Sequence, residues 1–467
     1  MKIIHMIDVK YFYPIIIKLV FCSILCYPCL SQAQEKKEEK PIFTFFETKD
    51  QKEQRMQWWR DAKFGMFIHW GPDAVPSLQW KGSEWNKKTL SEKNYIKYPA
   101  HESILNIPKD DWENEVIKQF NPTQYNPEDW VLQAKKAGMK YIILTVKHHN
   151  GFCLWPGLPG YDIRETKFKG DPVAMFVEAC RKYDMRIGFY YSQLDWHDPD
   201  AIGKYTAKTY PDGWISNPEK FLPTIKSQIK DLLTQYGKID ILWFDGQWIK
   251  DWTTEMGDDL TTYVRTLQPD IIINDRVRKG TPLCGDYHTP EQIIPSNGIS
   301  GAYWETCMTM NDTWFYVKQD LNWKSSNILI KNLIDVSSKD GNFLLNVGPD
   351  PDGVIPLASR QKLDSVGQWI DVNAESIYST STGPFETTFP WGSVTAKDDI
   401  LYLHILNVPE DRYLKLPFFD RKIRKVSVLA DHSDRNLSFE IEEDHYKINL
   451  PEDIRNKIVP VIKVKCW

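Results

Sequence analysis

Residues 238–248, KIDILWFDGQW, restrict the fold more than any other stretch of the chain. Ile241, Leu242, Trp243 and Phe244 run unbroken into a carboxylate, Asp245, and Gly246 follows at once. A strand that is apolar on both alternating faces suits a sheet covered on both sides, as parallel sheets are, and the glycine marks the exit from it. Asp245 is thereby delivered to the C-terminal end of its strand. In a barrel of parallel strands that end carries the chemistry, because the loops there form the main cleft. A lone Asp after a strand caps the next helix about as often, so the other strand ends must decide.

They repeat the pattern. FGMFIHW (64–70) ends in His69, and KYIILTVKHHNGF ends in His148 and His149 after the helix PEDWVLQAKKAGM, whose Trp130, Ala134 and Ala137 share one face. A helix over 172–184 leads to RIGFYYS, ending at Tyr190, Tyr191 and Ser192. A helix over 221–236 precedes the Asp245 strand, and one over about 257–267 precedes DIIINDR with Asn274, Asp275 and Arg276. NFLLNV (342–347) is the last strand of the series. Helices and strands in alternation predict right-handed βαβ units, hence an α/β fold with a (β/α)8-like barrel over 52–382. After Gly383 short alternating runs such as ILYLHILNV, RKVSVLA and VPVIKVK predict a C-terminal antiparallel β-sandwich over 383–467. A single buried His is ordinarily a satisfied core residue. Three of them at strand ends, beside a Trp-flanked Asp, point to a site instead. The long irregular stretch from Pro72 to Pro122 contains GSEW, with Glu84 and Trp85, and a loop of that length is more often functional than idle.

Residues 1–33 have the form of a secretory leader: sparse Lys, an apolar run, and a small-residue exit at Ser31-Gln32-Ala33. Lys18 interrupts the run, so no retained membrane span is expected, and the product would be exported, periplasmic or secreted. Residues 34–51 read as a flexible charged lead-in. Without the leader's three Lys and one Asp, the 58 basic and 63 acidic side chains become 55 and 62, a net charge of −7. Such a surface gives no electrostatic reason to bind nucleic acid or anionic membrane. Five cysteines remain, with no CxxC, which supports neither a disulfide framework nor a zinc site. Neither a metal nor another cofactor is expected. The oligomeric state is not legible. The 19 Trp residues hint at carbohydrate, because aromatic faces suit the C–H faces of sugars.

The strings RDAKFGMFIHWG, FNPTQYNPEDWVLQAKKAGMKYIILTVKHHNGFCLW, WFDG, NDR, WETCMTMNDTW and NFLLNVGPDPDG together resemble the α-L-fucosidases of glycoside hydrolase family 29, from about Arg60 to Tyr378. The resemblance implies a (β/α) barrel followed by a β-sandwich, exo-cleavage of terminal α-L-fucose from oligosaccharides or glycoconjugates with retention, and Asp245 as nucleophile. It implies that His69, His148, His149, Tyr191 and Arg276 hold fucose hydroxyls, with Glu84, Trp85, Trp243 and Trp314 lining the pocket. Two positions depart from the family pattern. Thr313-Trp314-Phe315-Tyr316 stands where TWGY is common, and Asn373-Ala374-Glu375 where relatives read NGE. Phe315 would narrow the entrance. Rival readings are a retaining hydrolase of a similar sugar, such as an α-L-galactoside, and an inactive carbohydrate-binding relative.

Retention requires a second carboxyl group, roughly 5–5.5 Å from the nucleophile, that first protonates the leaving oxygen. Glu305 and Glu291 are both eligible. Glu305 is preferred, because the aromatic pair Tyr303 and Trp304 before it suggests an apolar setting that raises a carboxyl pKa. Glu291, after Pro290, would otherwise cap a turn or pair with a base.

Overall fold

A computed structural model describes residues 47–77, 79–81, 83–84, 107–201, 217–278, 280, 284–385, 389–431 and 435–467. The expected leader, most of the lead-in, and Trp85 lie outside these residues, and the side chain of Glu84 is likewise not described. Among the described residues no helix is long and apolar enough to cross a membrane.

Among the described residues the first helix, α1 (Lys49–Ala62), starts inside the stretch expected to be a flexible lead-in. Thr48 and Gln51 explain its start. Each side chain bonds the other's backbone N–H, at 3.2 and 2.9 Å, satisfying two donors that a helix N-terminus otherwise leaves bare. Strand β1 (Phe64–Ile68) follows, then helix α2 (Pro127–Lys136) and strand β2 (Tyr141–Lys147). Asn126 caps α2, Pro127 opens it, and Trp130, Val131 and Ala134 form its buried stripe. The alternation continues through α3 (Pro172–Lys182), β3 (Arg186–Ser192), α4 (Pro218–Thr234), β4 (Ile241–Asp245), α5 (Thr254–Leu267) and the two-residue β5 (Ile272–Ile273). It ends with β6 (Glu305–Thr309), α6 (Ser326–Ser338), β7 (Asn342–Val347) and α7 (Leu357–Asn373).

These seven strands form one parallel sheet in the order β5-β4-β3-β2-β1-β7-β6. Its edges, β5 and β6, are bridged by residues 286–292, which take the eighth place without becoming a regular strand. Tyr287 bridges Asn274 on one side, while His288 and Glu291 bridge Trp304 and Cys307 on the other, all in parallel sense.

Period-two alternation sorts the side chains. Phe67, Tyr141, Ile143, Tyr190, Ile241, Trp243, Cys307 and Leu344 fill the barrel interior, and Met56 and Trp59 of α1 join them. The alternate set, including Leu144, Phe189, Leu242, Phe244 and Leu345, packs outward against the helices. The expected barrel is therefore built, with its interior full and its polar groups confined to the rims.

Beyond it, β8 (Ser381–Thr382), β9 (Gly392–Lys397), β10 (Ile400–Ile405), β11 (Tyr413–Pro417), β12 (Ile423–Val428), β13 (Phe439–Ile441), β14 (His445–Asn449) and β15 (Val461–Cys466) make two antiparallel sheets. One has the order β8-β9-β10-β15-β12 and the other β11-β14-β13. Leu401, Leu403, Leu414, Leu416, Ile448 and Val464 close the core between them. Trp369 of α7 donates to the Val459 carbonyl at 3.0 Å and ties this region to the barrel.

Candidate active site

Asp245 ends β4, pointing into the barrel mouth with its side chain 9% exposed. Trp243 precedes it by two residues on the same inward row. Gly246 turns the chain away at φ +86°, where an added Cβ would lie 2.4 Å from the Leu194 Cβ, so no other residue fits without displacing that loop. Three donors converge on the carboxylate. The Gly246 N–H reaches Oδ1 at 2.9 Å, Arg276 Nη1 reaches Oδ1 at 3.2 Å, and the Tyr190 hydroxyl reaches Oδ2 at 2.8 Å. Burial acts to raise its pKa. Arg276, the nearby His149, Tyr190 and the Gly246 N–H outweigh burial and hold it below the ordinary carboxylate value.

Arg276 also reaches a second carboxyl group. Its Nη2 lies 2.9 Å from Oε2 of Glu291, whose side chain is 28% exposed. One guanidinium therefore spans Asp245 and Glu291. Thr289 fixes its orientation, accepting from Arg276 Nε at 3.0 Å and, through its carbonyl, from Nη2 at 3.1 Å. The Thr289 hydroxyl in turn donates to Asp275 at 2.6 Å. Burial, and the charge of Asp245, push the Glu291 pKa above its ordinary value despite Arg276. The pair is thus biased toward one ionised and one protonated carboxyl group, as acid and nucleophile require.

The histidines of β1 and β2 form the opposite wall. His69 Nδ1 lies 2.7 Å from Asn346 Oδ1, and the Asn346 amide donates to the Trp314 carbonyl at 2.7 Å, so the oxygen faces the ring and the proton sits on Nδ1. Ser192 gives its proton to the Leu194 carbonyl at 2.6 Å and accepts from His149 Nδ1 at 2.7 Å. Both rings therefore present an unprotonated Nε2, an acceptor for a hydroxyl group. Burial dominates both and lowers their pKa values, to about 3 for His69 and about 4 for His149, so they are neutral at ordinary pH. His148 stacks on Tyr190, centroids 5.3 Å apart and planes 6° from parallel. Trp314 and Phe315 close this wall against His69 at 5.0 and 5.4 Å, and Phe315 also meets His148 at 5.1 Å. Among the described residues no cluster of three or more His, Cys, Asp or Glu could hold a metal ion.

His69, His148, His149, Trp243, Asp245, Arg276, Glu291 and Trp314 are thus brought together. Two expectations need correction. Tyr191 points outward, because strand neighbours alternate: its hydroxyl donates to Gln228 at 2.6 Å in the layer under the helices. Its neighbour Tyr190 takes the inward place. Glu305 lies at the other end of the barrel, since it is the first residue of β6 whereas Asp245 is the last of β4. It is fully buried and bonded by Tyr141 at 2.5 Å and by Trp243 Nε1 at 3.2 Å, at the edge of the indole whose ring face Arg276 covers. The aromatic residues before it do bury it, as expected, and burial raises its pKa to about 7, but at a place the barrel mouth does not reach.

Asn346 and Thr289 were missed in the sequence, where Tyr190 and Ser192 stood only as the end of a strand. Tyr190 sits beside Trp243 in register, and that register makes it the inward residue. Tyr190→Phe is expected to cost roughly tenfold in kcat, the scale of one charge-assisted hydrogen bond, and to move the acid limb of the pH profile upward. Tyr191→Phe should leave kinetics unchanged and lower stability by ~1–3 kcal/mol, because buried Gln228 loses a partner. The reverse pattern would restore Tyr191 to the site.

Comparison with known proteins agrees with this geometry. The sequence profile described as Alpha-L-fucosidase matches residues 29–375. The tissue alpha-L-fucosidase of Macaca fascicularis is 30% identical over 377 residues, 77% of each chain. Alpha-L-fucosidase isoenzyme 1 from Paenibacillus thiaminolyticus superposes with a TM-score of 0.78 at 31% identity, covering 89% of this chain and 99% of that one. A trapped covalent intermediate of a GH29 alpha-L-fucosidase from Bacteroides thetaiotaomicron, in complex with 2-fluoro-fucosyl fluoride, superposes at 0.76 with 26% identity, covering 91% and 99%. A match over most of the chain, with the fold and the strand-end residues in place, assigns the protein to the alpha-L-fucosidase family of glycoside hydrolases.

Proposed function

We propose that the protein is an exo-acting retaining α-L-fucosidase that works by double displacement, with Asp245 as nucleophile and Glu291 as acid/base. The observation that carries the reading is the Arg276 guanidinium, which touches both carboxyl groups and sits with them at the C-terminal rim of the barrel. In the first step Asp245 attacks the anomeric carbon while Glu291 protonates the leaving oxygen. In the second Glu291 takes a proton from water, which displaces Asp245 from the sugar. The neutral Nε2 atoms of His69 and His149 accept from sugar hydroxyls, and the aromatic wall of Trp314 and Phe315 suits an apolar 6-deoxy carbon. The covalent intermediate trapped in the Bacteroides relative supports this order of events. Glu84 and Trp85 remain part of the proposal as further sugar contacts.

The direct test is hydrolysis of aryl α-L-fucosides against aryl α-L-galactosides. A strong preference for the fucoside supports the reading, and equal or inverted preference favours the rival sugar. No turnover on either would favour a binding relative. Exhaustive chelation is expected to leave activity unchanged.

The pH profile follows from the two carboxyl groups. Asp245 must be ionised and is held below the usual ~3.9, so activity falls only in strong acid. Glu291 must be protonated and is held above the usual ~4.3, so activity falls again as it ionises. A bell-shaped kcat/KM profile is expected, with its basic limb abolished in Glu291→Gln. A basic limb that persists in that variant belongs to another group. Export by the leader of residues 1–33 completes the proposal, and a mature N-terminus near Gln34, read by mass spectrometry of the exported protein, tests it.

A further inference from the structure

Glu305 takes no part in the reaction as proposed, yet a carboxyl group with no exposed surface inside a barrel is costly unless its neighbours compensate. Those neighbours are donors. The Tyr141 hydroxyl donates to Oε2 at 2.5 Å and Trp243 Nε1 to Oε1 at 3.2 Å, while the side chains of Tyr287 and Trp59 adjoin the same group. Trp243 links this floor to the site above. Its ring lies 4.7 Å from the Arg276 guanidinium carbon, an attractive cation–π arrangement, and it stacks on Tyr190 at 5.4 Å and 21°. Its backbone is two residues, ~6.6 Å of strand, below Asp245.

We propose that Glu305 is a positioning residue: by accepting from Trp243 Nε1 it fixes the indole beneath Arg276 and so holds the guanidinium where it spans Asp245 and Glu291. The inference rests on the roles given above to those two carboxyl groups. Packing against Tyr190 and Phe67 confines the indole, and the Nε1–H bond to Glu305 adds a directional contact at its edge. Without that bond the surface offered to Arg276 tilts, and the guanidinium loses the support that aligns it with both carboxylates. The effect on Asp245 has a definite sign. Arg276, His149, His69, Tyr190, Glu291 and Cys307 are ionisable groups around it, and Arg276 is the charge that most opposes its protonation. A displaced guanidinium therefore lets the Asp245 pKa rise.

Three variants of the full-length enzyme test this: Glu305→Leu, Glu305→Gln and Trp243→Phe. Glu305→Leu is expected to lose ~10–100-fold in kcat on aryl α-L-fucosides with good and poor leaving groups alike, the scale of a small misplacement of a catalytic group. The acid limb of its kcat/KM profile should move to higher pH. Glu305→Gln, which keeps an acceptor for Trp243, should recover most of the loss. Trp243→Phe removes the N–H donor together with part of the ring surface under Arg276, so it should show at least the same limb shift, and combining it with Glu305→Leu should cost little more than Trp243→Phe alone. If Glu305→Leu does not fold, the acid limb of Glu305→Ala decides. An unmoved acid limb with additive losses would overturn the inference and leave Glu305 as packing. Azide-dependent formation of α-fucosyl azide by Glu305→Leu would overturn it differently, by making Glu305 the proton donor. Failure of the underlying reading is seen separately, in wild-type enzyme and in Glu291 variants, where no change at Glu305 is involved.

Discussion

Asp245→Ala is expected to fold and to lose on the order of 10⁴-fold or more in kcat, the scale seen when a covalent nucleophile is removed. Its side chain is small and the strand beneath it stays intact, so little packing is lost. What remains is a buried Arg276 that still pairs with Glu291 and a Tyr190 hydroxyl without its acceptor, which together cost ~1–3 kcal/mol of stability. Circular dichroism should therefore report a native fold with a modestly lowered melting temperature. Azide fits the space left by the carboxylate. It should attack the α-fucoside directly and give the β-fucosyl azide, a product of one inversion. Near-wild-type turnover on an aryl α-L-fucoside would end the assignment.

Glu291→Ala should fail in a different way. The first step then lacks its acid, so natural glycosides with poor leaving groups lose most, on the order of 10²–10⁴-fold, while aryl fucosides whose leaving group departs without a proton lose least. The second step lacks its base, and the fucosyl-enzyme should accumulate as a burst followed by slow turnover. Azide needs no base. It should restore turnover by attacking the covalent intermediate, and the second inversion gives the α-fucosyl azide. The same assays on Glu305→Ala should show neither the α-azide nor the leaving-group dependence. If Glu305→Ala shows both and Glu291→Ala neither, the two roles exchange.

These contrasts bear on what the sequence could and could not reveal. The strands legible in it are largely apolar runs: 186–192 and 342–347 have the expected bounds, and Asp245 stands at the end of its strand. The residues that complete the ring were harder. Segment 286–292 makes isolated bridges only, and its sequence, DYHTPEQ, has neither apolar run nor alternation, so nothing marked it as a strand. Without that segment the ends of the barrel at this point are undefined. Glu291 then looks like a loop residue, and nothing shows that Glu305 is the beginning of a strand. An apolar setting was a sound reason to expect a raised pKa at Glu305, and it is raised, but a pKa carries no information about which rim a residue occupies. Tyr190 and Tyr191 show the same limit at smaller scale. Either could face inward until the register with Asp245 is known, and one step of register moves a side chain to the other face.

The claim that most needs testing is that Asp245 becomes covalently bound to the sugar. Wild-type enzyme inactivated with 2-fluoro-fucosyl fluoride, digested and sequenced by tandem mass spectrometry, should carry one fluorofucosyl group, on Asp245 in the peptide containing WFDGQW. A label on Glu291 or Glu305, or no label together with release of β-L-fucose as the first product from an α-L-fucoside, would contradict the account.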